Sequence, residues 1–304
     1  MARTIVAVDW GSSSLRAALL GDDGRVIEER QSQRGILNVP AGAFSEVLQI
    51  TCNDWLIDPD TLCLISGMAG SRQGWREAPY CPCPAGFDDL VGRLAWVEAD
   101  FTRARIAIVP GMSCERDGAP DVMRGEEVQI FGALSLLGGA QQGRLVLPGT
   151  HSKWARVESG RLLAFSTFMT GEFYALLRTY SILSRTMPAE DGPLDTEAFT
   201  RGVAQATTSG SILGSAFSSR TLALFHRMRE EALPSYLSGL LIGEELRAQG
   251  VDAADGMITV IGSQALTLRY ELALLSRGIP ARRIGGEATW RGLWQIAQRM
   301  EPIE

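Results

Sequence analysis

The sequence has little lysine and histidine, and it lacks the segments typical of several large protein classes. Lys153 is the only lysine among 29 basic residues, and His151 and His226 are the only histidines. The formal net charge is −6, so we expect no basic surface for nucleic acid or anionic lipid. No apolar run reaches the roughly 18 residues of a membrane-spanning helix. The apolar run at the N-terminus is too short for a signal peptide, and it is followed by the acidic residue Asp9. We therefore expect a soluble, cytoplasmic protein.

The cysteines do not indicate a disulfide framework or a zinc site. Their number is odd and no Cys-x-x-Cys pair occurs; they are Cys52, Cys63, Cys81, Cys83 and Cys114. Neither a second pair nor a nearby histidine adds the zinc ligands that Cys81 and Cys83 would need. We expect free thiols in a reducing compartment.

Length and composition indicate a globular protein of about two domains. The chain has 304 residues, of which 45% are hydrophobic and 21% are charged, and this composition argues against disorder. At roughly 100–200 residues per domain, the length fits two domains or one large one.

A strand, a loop of glycine and hydroxyl residues, and a hairpin follow one another near the N-terminus. The strand is predicted at 4–8 and the loop at Gly11–Ser14, which we name loop 1. The hairpin strands are predicted at 15–20 and 25–30, around a Gly-Asp-Asp-Gly turn at 21–24.

The same order of segments recurs in the middle of the chain. A strand at 144–147 leads into Pro148–Ser152, which we name loop 2, and strands follow at 153–157 and 161–166. This duplication predicts two related α/β domains that face each other across a cleft, unless the two hairpins are similar by chance.

The hairpin after loop 1 excludes two common phosphate-binding loops. Walker and Rossmann loops lead from a strand into a helix, whose N-terminus holds the phosphate. Only residues 15–20 separate loop 1 from the next turn, which is too short for an ordinary helix. Any phosphate would then be held by backbone amides and hydroxyls of the loop.

A third segment suits a nucleotide base or ribose, although most α/β proteins contain similar turns. A strand at 257–261 is followed by Gly262-Ser263 and a helix at 264–275. Further helices are predicted at 44–55, 126–137, 171–180, 195–206, 221–231, 234–248 and 290–300.

Several residues beside the loops have side chains that suit phosphoryl transfer. Asp9 ends the first strand, where a carboxylate either orients Mg²⁺ or only forms a turn. Loop 2 and the next residue supply Gly149, Thr150, His151 and Lys153. An ammonium suits a phosphoryl oxygen; the alternative is a surface lysine and a loop histidine without function.

The start of the predicted helix 126–137 offers candidates for substrate chemistry. Glu126 and Glu127 either take a proton from a substrate hydroxyl or stabilise the helix N-terminus through its dipole. Arg124 suits a substrate carboxylate. The segments 67–75 and 170–172 are either ligand-binding turns or ordinary connections.

Taken together, these segments resemble the 2-dehydro-3-deoxygalactonokinases, a branch of the sugar kinase, Hsp70 and actin superfamily. Asp9–Arg16 (DWGSSSLR) resembles the first phosphate motif of the superfamily, and Pro148–Trp154 (PGTHSKW) resembles the second phosphate motif of this branch. Other segments resemble the branch in the same order: 67–71 with 74–75, 123–127, 169–172, 237–243 and 266–270. The similarity covers nearly the whole chain.

The resemblance implies a fold and a reaction. The fold is α/β, with two RNase H-like domains of the actin/hexokinase type at 1–140 and 141–304, mixed sheets flanked by helices, and a last helix that packs back on the first domain. The reaction transfers the γ-phosphoryl group of ATP, with Mg²⁺, to the 6-hydroxyl of 2-dehydro-3-deoxy-D-galactonate, a step of D-galactonate breakdown.

The resemblance also implies the site residues. Asp9 would be the metal ligand. The contacts to ATP would be Gly11, Ser12, Ser13, Arg16, Gly149, Thr150, His151, Lys153, Gly262 and Ser263. The contacts to the sugar acid would be Ser71, Arg72, Trp75, Arg124, Thr170 and Glu172.

The catalytic base is not fixed by this resemblance. Many sugar kinases of the superfamily place an aspartate beside the second phosphate motif, but residues 145–152 contain no acid. We expect the base to be Glu126 or Glu127, with Glu172 and Asp9 as further candidates.

Two other functions stay open at this point. One is a kinase for another sugar or sugar acid; the other is a non-catalytic, ATP-operated binding or regulatory protein of the same fold. The absence of a basic DNA-binding segment or an added domain favours the kinase. We expect the sugar acid and ATP as partners, no nucleic acid or membrane, and a homodimer as the default for a small metabolic enzyme.

Overall fold

The computed structural model describes residues 4–208 and 210–300. Within these ranges the strands are β1 (Ile5–Trp10), β2 (Leu15–Leu20), β3 (Val26–Ser32), β4 (Leu62–Gly67), β5 (Cys81–Pro82), β6 (Ala95–Val97), β7 (Arg105–Ile108), β8 (Met112–Arg116), β9 (Ala119–Met123), β10 (Gly143–Leu147), β11 (Ser152–Glu158), β12 (Arg161–Phe168), β13 (Ile258–Ile261) and β14 (Ala281–Ile284). The α-helices are α1 (Phe44–Cys52), α2 (Phe87–Val91), α3 (Glu126–Leu136), α4 (Thr170–Tyr180), α5 (Thr196–Thr208), α6 (Ile212–Ser215), α7 (Ser218–Leu224), α8 (Leu233–Ala248), α9 (Gln264–Leu275) and α10 (Glu287–Arg299). Across the same ranges, no helix combines the length and the apolar character needed to cross a bilayer.

The chain divides into two compact units. Unit 1 comprises residues 4–143, 155–166 and 286–300 of the described chain, and unit 2 comprises 144–154 and the described part of 167–285. This division is not a single cut after residue 140, which the motif resemblance implied. Parts of β11 and β12 and the whole of α10 belong to unit 1.

The main sheet of unit 1 has six strands in the order β3-β2-β1-β4-β7-β6. β1 pairs antiparallel with β2 and parallel with β4. This pairing places Asp9 opposite both Arg16 and Ser66. A smaller sheet, β5-β8-β9, leads into α3.

Both faces of the six-stranded sheet are covered, because alternate residues of β1 point to opposite sides. Val6 and Val8 belong to the same core as Phe44 of α1. Ile5 and Ala7 belong to the core on the other side, which includes Trp290, Leu293 and Ile296 of α10. A sheet buried on both faces explains why 4–8 is apolar without alternation.

Helices α3 and α10 pack closely through two glycines. A Cβ atom on Gly132 would clash with the carbonyl oxygen of Ala288, and one on Gly292 would clash with that of Val128. This contact fixes α10 within unit 1 and positions the first turn of α3.

The five-stranded sheet has the order β12-β11-β10-β13-β14, with β10, β13 and β14 parallel. In both sheets the first strand along the chain is central: a hairpin of the next two strands lies on one side of it, and later parallel strands lie on the other side. The order β12-β11-β10-β13-β14 therefore matches β3-β2-β1-β4-β7 of the six-stranded sheet. The duplication predicted from sequence is confirmed, and the fold is the mixed α/β, RNase H-like type.

In unit 2, α5, α8 and α9 cover strands β10 and β13. The core includes Val146 and Val260 from the strands and Phe199, Ile242 and Leu274 from the helices. α5 and α8 again meet through glycine, since a Cβ atom at position 239 would clash with the carbonyl oxygen of Phe199.

One predicted helix is wrong. Residues 221–231 do not form a continuous helix: α7 ends at Leu224, and His226 then has a φ angle of 53°. A non-glycine residue in the left-handed region ends a helix, and a short 3₁₀ turn at Glu230–Ala232 precedes α8.

Candidate functional site

The carboxyl ends of β1 and β4 form the centre of the candidate site in unit 1. Arg16 donates a hydrogen bond to the Asp9 carboxylate at 2.6 Å. The same guanidinium lies 5.3 Å from the ring centre of Trp290, which is a cation–π distance. Arg16, predicted as an ATP contact, is therefore an ion-pair partner of the predicted metal ligand, whose side chain stays 21% exposed.

Two glycines with positive φ angles bring a second segment to this edge. Gly67 has a φ angle of 94° and Gly125 one of 104°, values that favour glycine because side chains clash there. A Cβ atom on Gly125 would lie 3.3 Å from the Cα atom of Gly67 and 3.8 Å from Ser66 Oγ. The chain from Arg124 to Glu127 therefore runs directly beside the end of β4.

Buried polar atoms without partners gather around these glycines. In the described part of the chain, Ser66 Oγ, Ser71 Oγ, Arg124 Nε, Arg124 Nη1 and Glu127 Oε1 are buried and lack a hydrogen-bond partner. We name these four residues the polar cluster. Buried polar groups are almost always hydrogen-bonded, so these five atoms need partners that the described residues do not supply.

The guanidinium of Arg124 is held in a defined orientation. Nη2 donates to the carbonyl oxygen of Ala78 at 2.8 Å, and the group lies 4.4 Å from the ring centre of Tyr80. A Cβ atom on Gly70 would lie 2.8 Å from Nη1, so Gly70 leaves the space that this nitrogen occupies. The remaining N–H donors suit an anionic group.

The two candidate bases differ strongly in environment. Glu127 is fully buried, and its Oε2 accepts a hydrogen bond from the Gly125 amide at 2.7 Å. Burial, with the neighbouring charge of Glu126, raises the pKa of Glu127 to about 8. Glu126 is half-buried and accepts from the Arg124 amide at 3.0 Å.

Loop 1 has a hydrogen-bonded backbone and exposed hydroxyls. The Gly11 amide donates to Ser14 at 2.9 Å, and the Ile36 amide donates to Gly11 at 3.0 Å. Ser12 and Ser13 are exposed at the surface of unit 1. The loop therefore presents hydroxyls of a kind that suits a phosphate.

Loop 2 packs against the first turn of α4. Thr150 and His151 are exposed, and the Glu172 amide donates to the carbonyl oxygen of Thr150 at 3.0 Å. His151 Nε2 lies 2.5 Å from Glu172 Oε2. Because a Cβ atom on Gly171 would clash with the Gly149 carbonyl, the glycine in the 169–172 motif permits this contact.

Lys153 lies on β11 rather than in the loop. Lys153 is only 6% exposed, and its Nζ donates a hydrogen bond to Thr167 Oγ1 at 2.7 Å. Adjacent strand residues point to opposite faces, so Lys153 faces away from Ser152 and Trp154.

Sequence reasoning missed Glu245 on α8. This carboxylate is 2% exposed and accepts hydrogen bonds from Ser152 Oγ at 2.8 Å, Trp154 Nε1 at 2.7 Å and Tyr270 Oη at 2.7 Å. Thr170 Oγ1 donates to it as well. The signal was an acid within the apolar segment 240–246, obscured by the neighbouring Glu244.

A cavity of about 220 Å³ adjoins loop 2 in unit 2. It is lined by Pro148, Gly149, Thr170, Gly171, Tyr174, Asp191, Ser238, Leu241, Ile242, Leu266, Arg269 and Tyr270. The predicted base-binding residues Gly262 and Ser263 are absent from this lining, although a Cβ atom on Gly262 would lie 3.6 Å from the Pro148 oxygen. The helix that follows them, α9, lines the cavity instead.

Four predicted substrate residues lie outside the polar cluster, and one of them is Glu172, which pairs with His151 in unit 2. The Arg72 side chain is 88% exposed and lies 3.9 Å from Glu77. Trp75 packs edge-on against Trp10, with ring centres 6.2 Å apart. Thr170 is in unit 2, where its hydroxyl is engaged by Glu245.

The residues present fit ATP and a magnesium ion carried by it. In the described residues, no group of three or more His, Cys, Asp or Glu side chains could hold a metal ion. Mg²⁺ usually takes one or two carboxylates, with waters and substrate phosphates completing its shell. A single carboxylate such as Asp9 suits this mode, and the partly apolar cavity beside loop 2 suits a nucleoside.

Comparison with known proteins agrees with these features. The family model described as 2-keto-3-deoxy-galactonokinase matches residues 9–296. A protein of Rhizobium meliloti (strain 1021), named "Probable 2-dehydro-3-deoxygalactonokinase DgoK1", is 36% identical over 98% of this chain and 97% of its own. The 2-dehydro-3-deoxygalactonokinase of Escherichia coli (strain K12) is 33% identical over 98% of both chains.

A solved structure is also similar over its whole length. It is the crystal structure of a candidate 2-dehydro-3-deoxygalactonokinase protein from Sinorhizobium meliloti, with a TM-score of 0.88 and 35% identity. The match covers 98% of this chain and 100% of that one.

The duplicated sheet and its two hydroxyl-rich loops define an RNase H-like protein of the actin/hexokinase type. Within that class, the chain belongs to the 2-keto-3-deoxy-galactonokinase family. The resemblance inferred from sequence motifs is thus confirmed.

Proposed function

We propose that this protein transfers the γ-phosphoryl group of ATP to the 6-hydroxyl of 2-dehydro-3-deoxy-D-galactonate, releasing ADP. Membership of the family and the names of its relatives support this reaction. The polar cluster carries the proposal, because its five buried atoms without partners match the many hydrogen-bonding groups of a small sugar acid.

Arg124 would bind the carboxylate of the sugar acid. Its guanidinium is fixed by Ala78 and Tyr80, and two of its nitrogen atoms remain without partners in the described structure. Ser66 and Ser71 would bind sugar hydroxyls. Arg72 is too exposed to share this role at the same place.

Glu127 would act as the general base. It would accept the proton of the 6-hydroxyl as that oxygen bonds to the γ-phosphorus and the bond to ADP breaks. The raised pKa of about 8 makes its carboxylate a stronger base than an ordinary one. Glu126 already uses one oxygen on the Arg124 amide.

Loops 1 and 2 would each bind phosphate oxygens of ATP, through backbone amides and the exposed hydroxyls of Ser12, Ser13 and Thr150. Asp9 would hold Mg²⁺, which when bound neutralises charge on the phosphates. The adenosine would occupy the cavity beside loop 2.

An ADP-release assay with a panel of sugar acids tests the proposal. We expect release with 2-dehydro-3-deoxygalactonate and much less with its glucose-configured epimer. Release with a different acid alone would reassign the substrate. Nucleotide binding without any turnover would instead indicate an ATP-operated binding protein.

A further inference from the structure

Glu245 is a buried acid that the proposed chemistry does not use. It lies on α8 and accepts four hydrogen bonds, from Ser152, Trp154, Thr170 and Tyr270. These donors come from β11, the first turn of α4, and α9. The hydroxyls of Ser152, Thr170 and Tyr270 donate to Oε2, and the Trp154 indole donates to Oε1.

The set of donors matches an ionised carboxylate. An ionised carboxylate only accepts hydrogen bonds and offers about four lone-pair positions. The Trp154 N–H can only donate, so it needs an acceptor at this position. Burial raises the pKa of Glu245 and the four hydrogen bonds oppose that shift.

Each donor belongs to a segment that borders the candidate nucleotide site. Ser152 ends loop 2, and Trp154 follows it on the same face of β11. Thr170 starts α4, whose Glu172 amide bonds to loop 2. Tyr270 lines the cavity beside that loop.

Three separate motifs that resemble the family therefore meet at one acceptor. The motif 148–154 supplies Ser152 and Trp154, 169–172 supplies Thr170, and 266–270 supplies Tyr270. The acceptor itself stands two residues after the motif 237–243. The glycines of that last motif let α8 approach α5 closely, which fixes the helix that carries Glu245.

We propose that Glu245 is a positioning residue of the nucleotide site: its carboxylate holds loop 2, the start of α4 and α9 in the arrangement that binds ATP. The inference rests on the proposed ATP-dependent function. Glu245 is not among the residues proposed to contact the phosphates or the sugar acid. Its loss should weaken nucleotide binding and leave the sugar-acid contacts of unit 1 intact.

Glu245→Gln is the central test, with Glu244→Gln as matched control. The amide keeps the size of the side chain but replaces one acceptor oxygen with a donor. Glu244 is the next residue of the same helix and pairs with Arg247 at 2.5 Å, outside the site. Calorimetric titration of each full-length variant with MgADP gives Kd, and steady-state kinetics give separate KM values for ATP and the sugar acid.

We expect Glu245→Gln to raise Kd for MgADP and KM for ATP about tenfold or more, as loss of a hydrogen bond to a charged group does. KM for the sugar acid should change less than about twofold, a split that general loss of structure would not produce. Glu244→Gln should match the parent in all three constants.

An unchanged Kd in a folded Glu245→Gln protein would overturn the inference. If that variant does not fold, Ser152→Ala decides instead, because it removes one buried donor and leaves the carboxylate with three. A raised Kd with unchanged KM for the sugar acid supports the inference, and an unchanged Kd overturns it. If the parent protein itself does not bind MgADP, the proposed ATP-dependent function is wrong, and the inference about Glu245 fails with it.

Discussion

One oxygen of Glu127 accepts a hydrogen bond from the backbone amide of Gly125, 2.7 Å away, so the carboxylate is bound to the glycine that immediately precedes α3. The other oxygen is buried and has no partner in the described residues. This pairing leaves one oxygen to receive a proton from a substrate.

Glu127→Gln should therefore lower kcat strongly. We expect a fall of about 10²–10⁴-fold, the usual contribution of a general base, with a smaller change in KM for the sugar acid. Glu126→Gln is the control and should lower kcat less than about tenfold. If both variants fold and Glu126→Gln lowers kcat more than Glu127→Gln does, the general base is Glu126.

The raised pKa of Glu127 predicts how activity depends on pH. A base must be deprotonated to accept a proton, so kcat/KM should rise with pH and level off above about 8. The rising limb should be absent in Glu127→Gln. A parent profile that is flat between pH 6 and 9 would exclude Glu127 as the titrating base.

The same pKa predicts a dependence of stability on pH. The pKa of Glu127 rises from an ordinary value of 4.5 to about 8 on folding, so the folded state binds the proton more tightly. Its contribution to the free energy of unfolding is present below pH 4.5 and is lost as pH rises to about 8. Urea unfolding should show Glu127→Gln gaining stability relative to the parent from pH 6 to 8.5; a constant difference would contradict this.

Arg124→Gln should raise KM for the sugar acid while leaving KM for ATP near its parent value. We expect about a 10–100-fold rise, since hydrogen bonds to charged groups contribute about 1.5–3 kcal/mol. Arg72→Gln is the control, because the Arg72 side chain is 88% exposed. Equal effects of the two substitutions would remove Arg124 from the carboxylate site.

The strand and loop pattern could be predicted from sequence because it depends on local signals. The Gly-Asp-Asp-Gly turn at 21–24 and the apolar run before Asp9 locate β1 and β2, and both strands are observed. The helix predicted at 264–275 is also observed with the same ends. Local turn chemistry and apolar periodicity determine such elements.

The partners of the site residues could not be predicted, because they depend on distant contacts. Thr170 and Glu245 are 75 positions apart and Trp154 and Glu245 are 91 apart. Motif resemblance assigned Thr170 to the substrate, whereas the structure gives its hydroxyl to Glu245. Both residues of such a pair look like ordinary polar positions until the fold brings them together.

Gly239→Ala should destabilise the protein, because the added methyl group would prevent α5 and α8 from packing this closely. The added methyl group would meet the carbonyl oxygen of Phe199, and overpacking of this kind costs about 1–3 kcal/mol. Gly214→Ala on α6 is the control, since a Cβ atom there has no neighbour within 4 Å. Urea unfolding should show a lower midpoint for Gly239→Ala only, and equal midpoints would contradict the packing argument.

Lys153→Met tests whether the single lysine acts on phosphate. Methionine keeps much of the apolar stem of this largely buried residue but removes the ammonium that donates to Thr167. If Lys153 contacts phosphate, as the motif resemblance implies, kcat should fall about 10²-fold or more, because a positive charge near a transferring phosphoryl group stabilises the transition state. Thr167→Val removes the hydrogen-bond partner and keeps the charge, so its kcat should stay within about threefold of the parent if the charge, not the hydrogen bond, matters. Parent-like kinetics in a folded Lys153→Met protein would show that Lys153 only fills its place on β11.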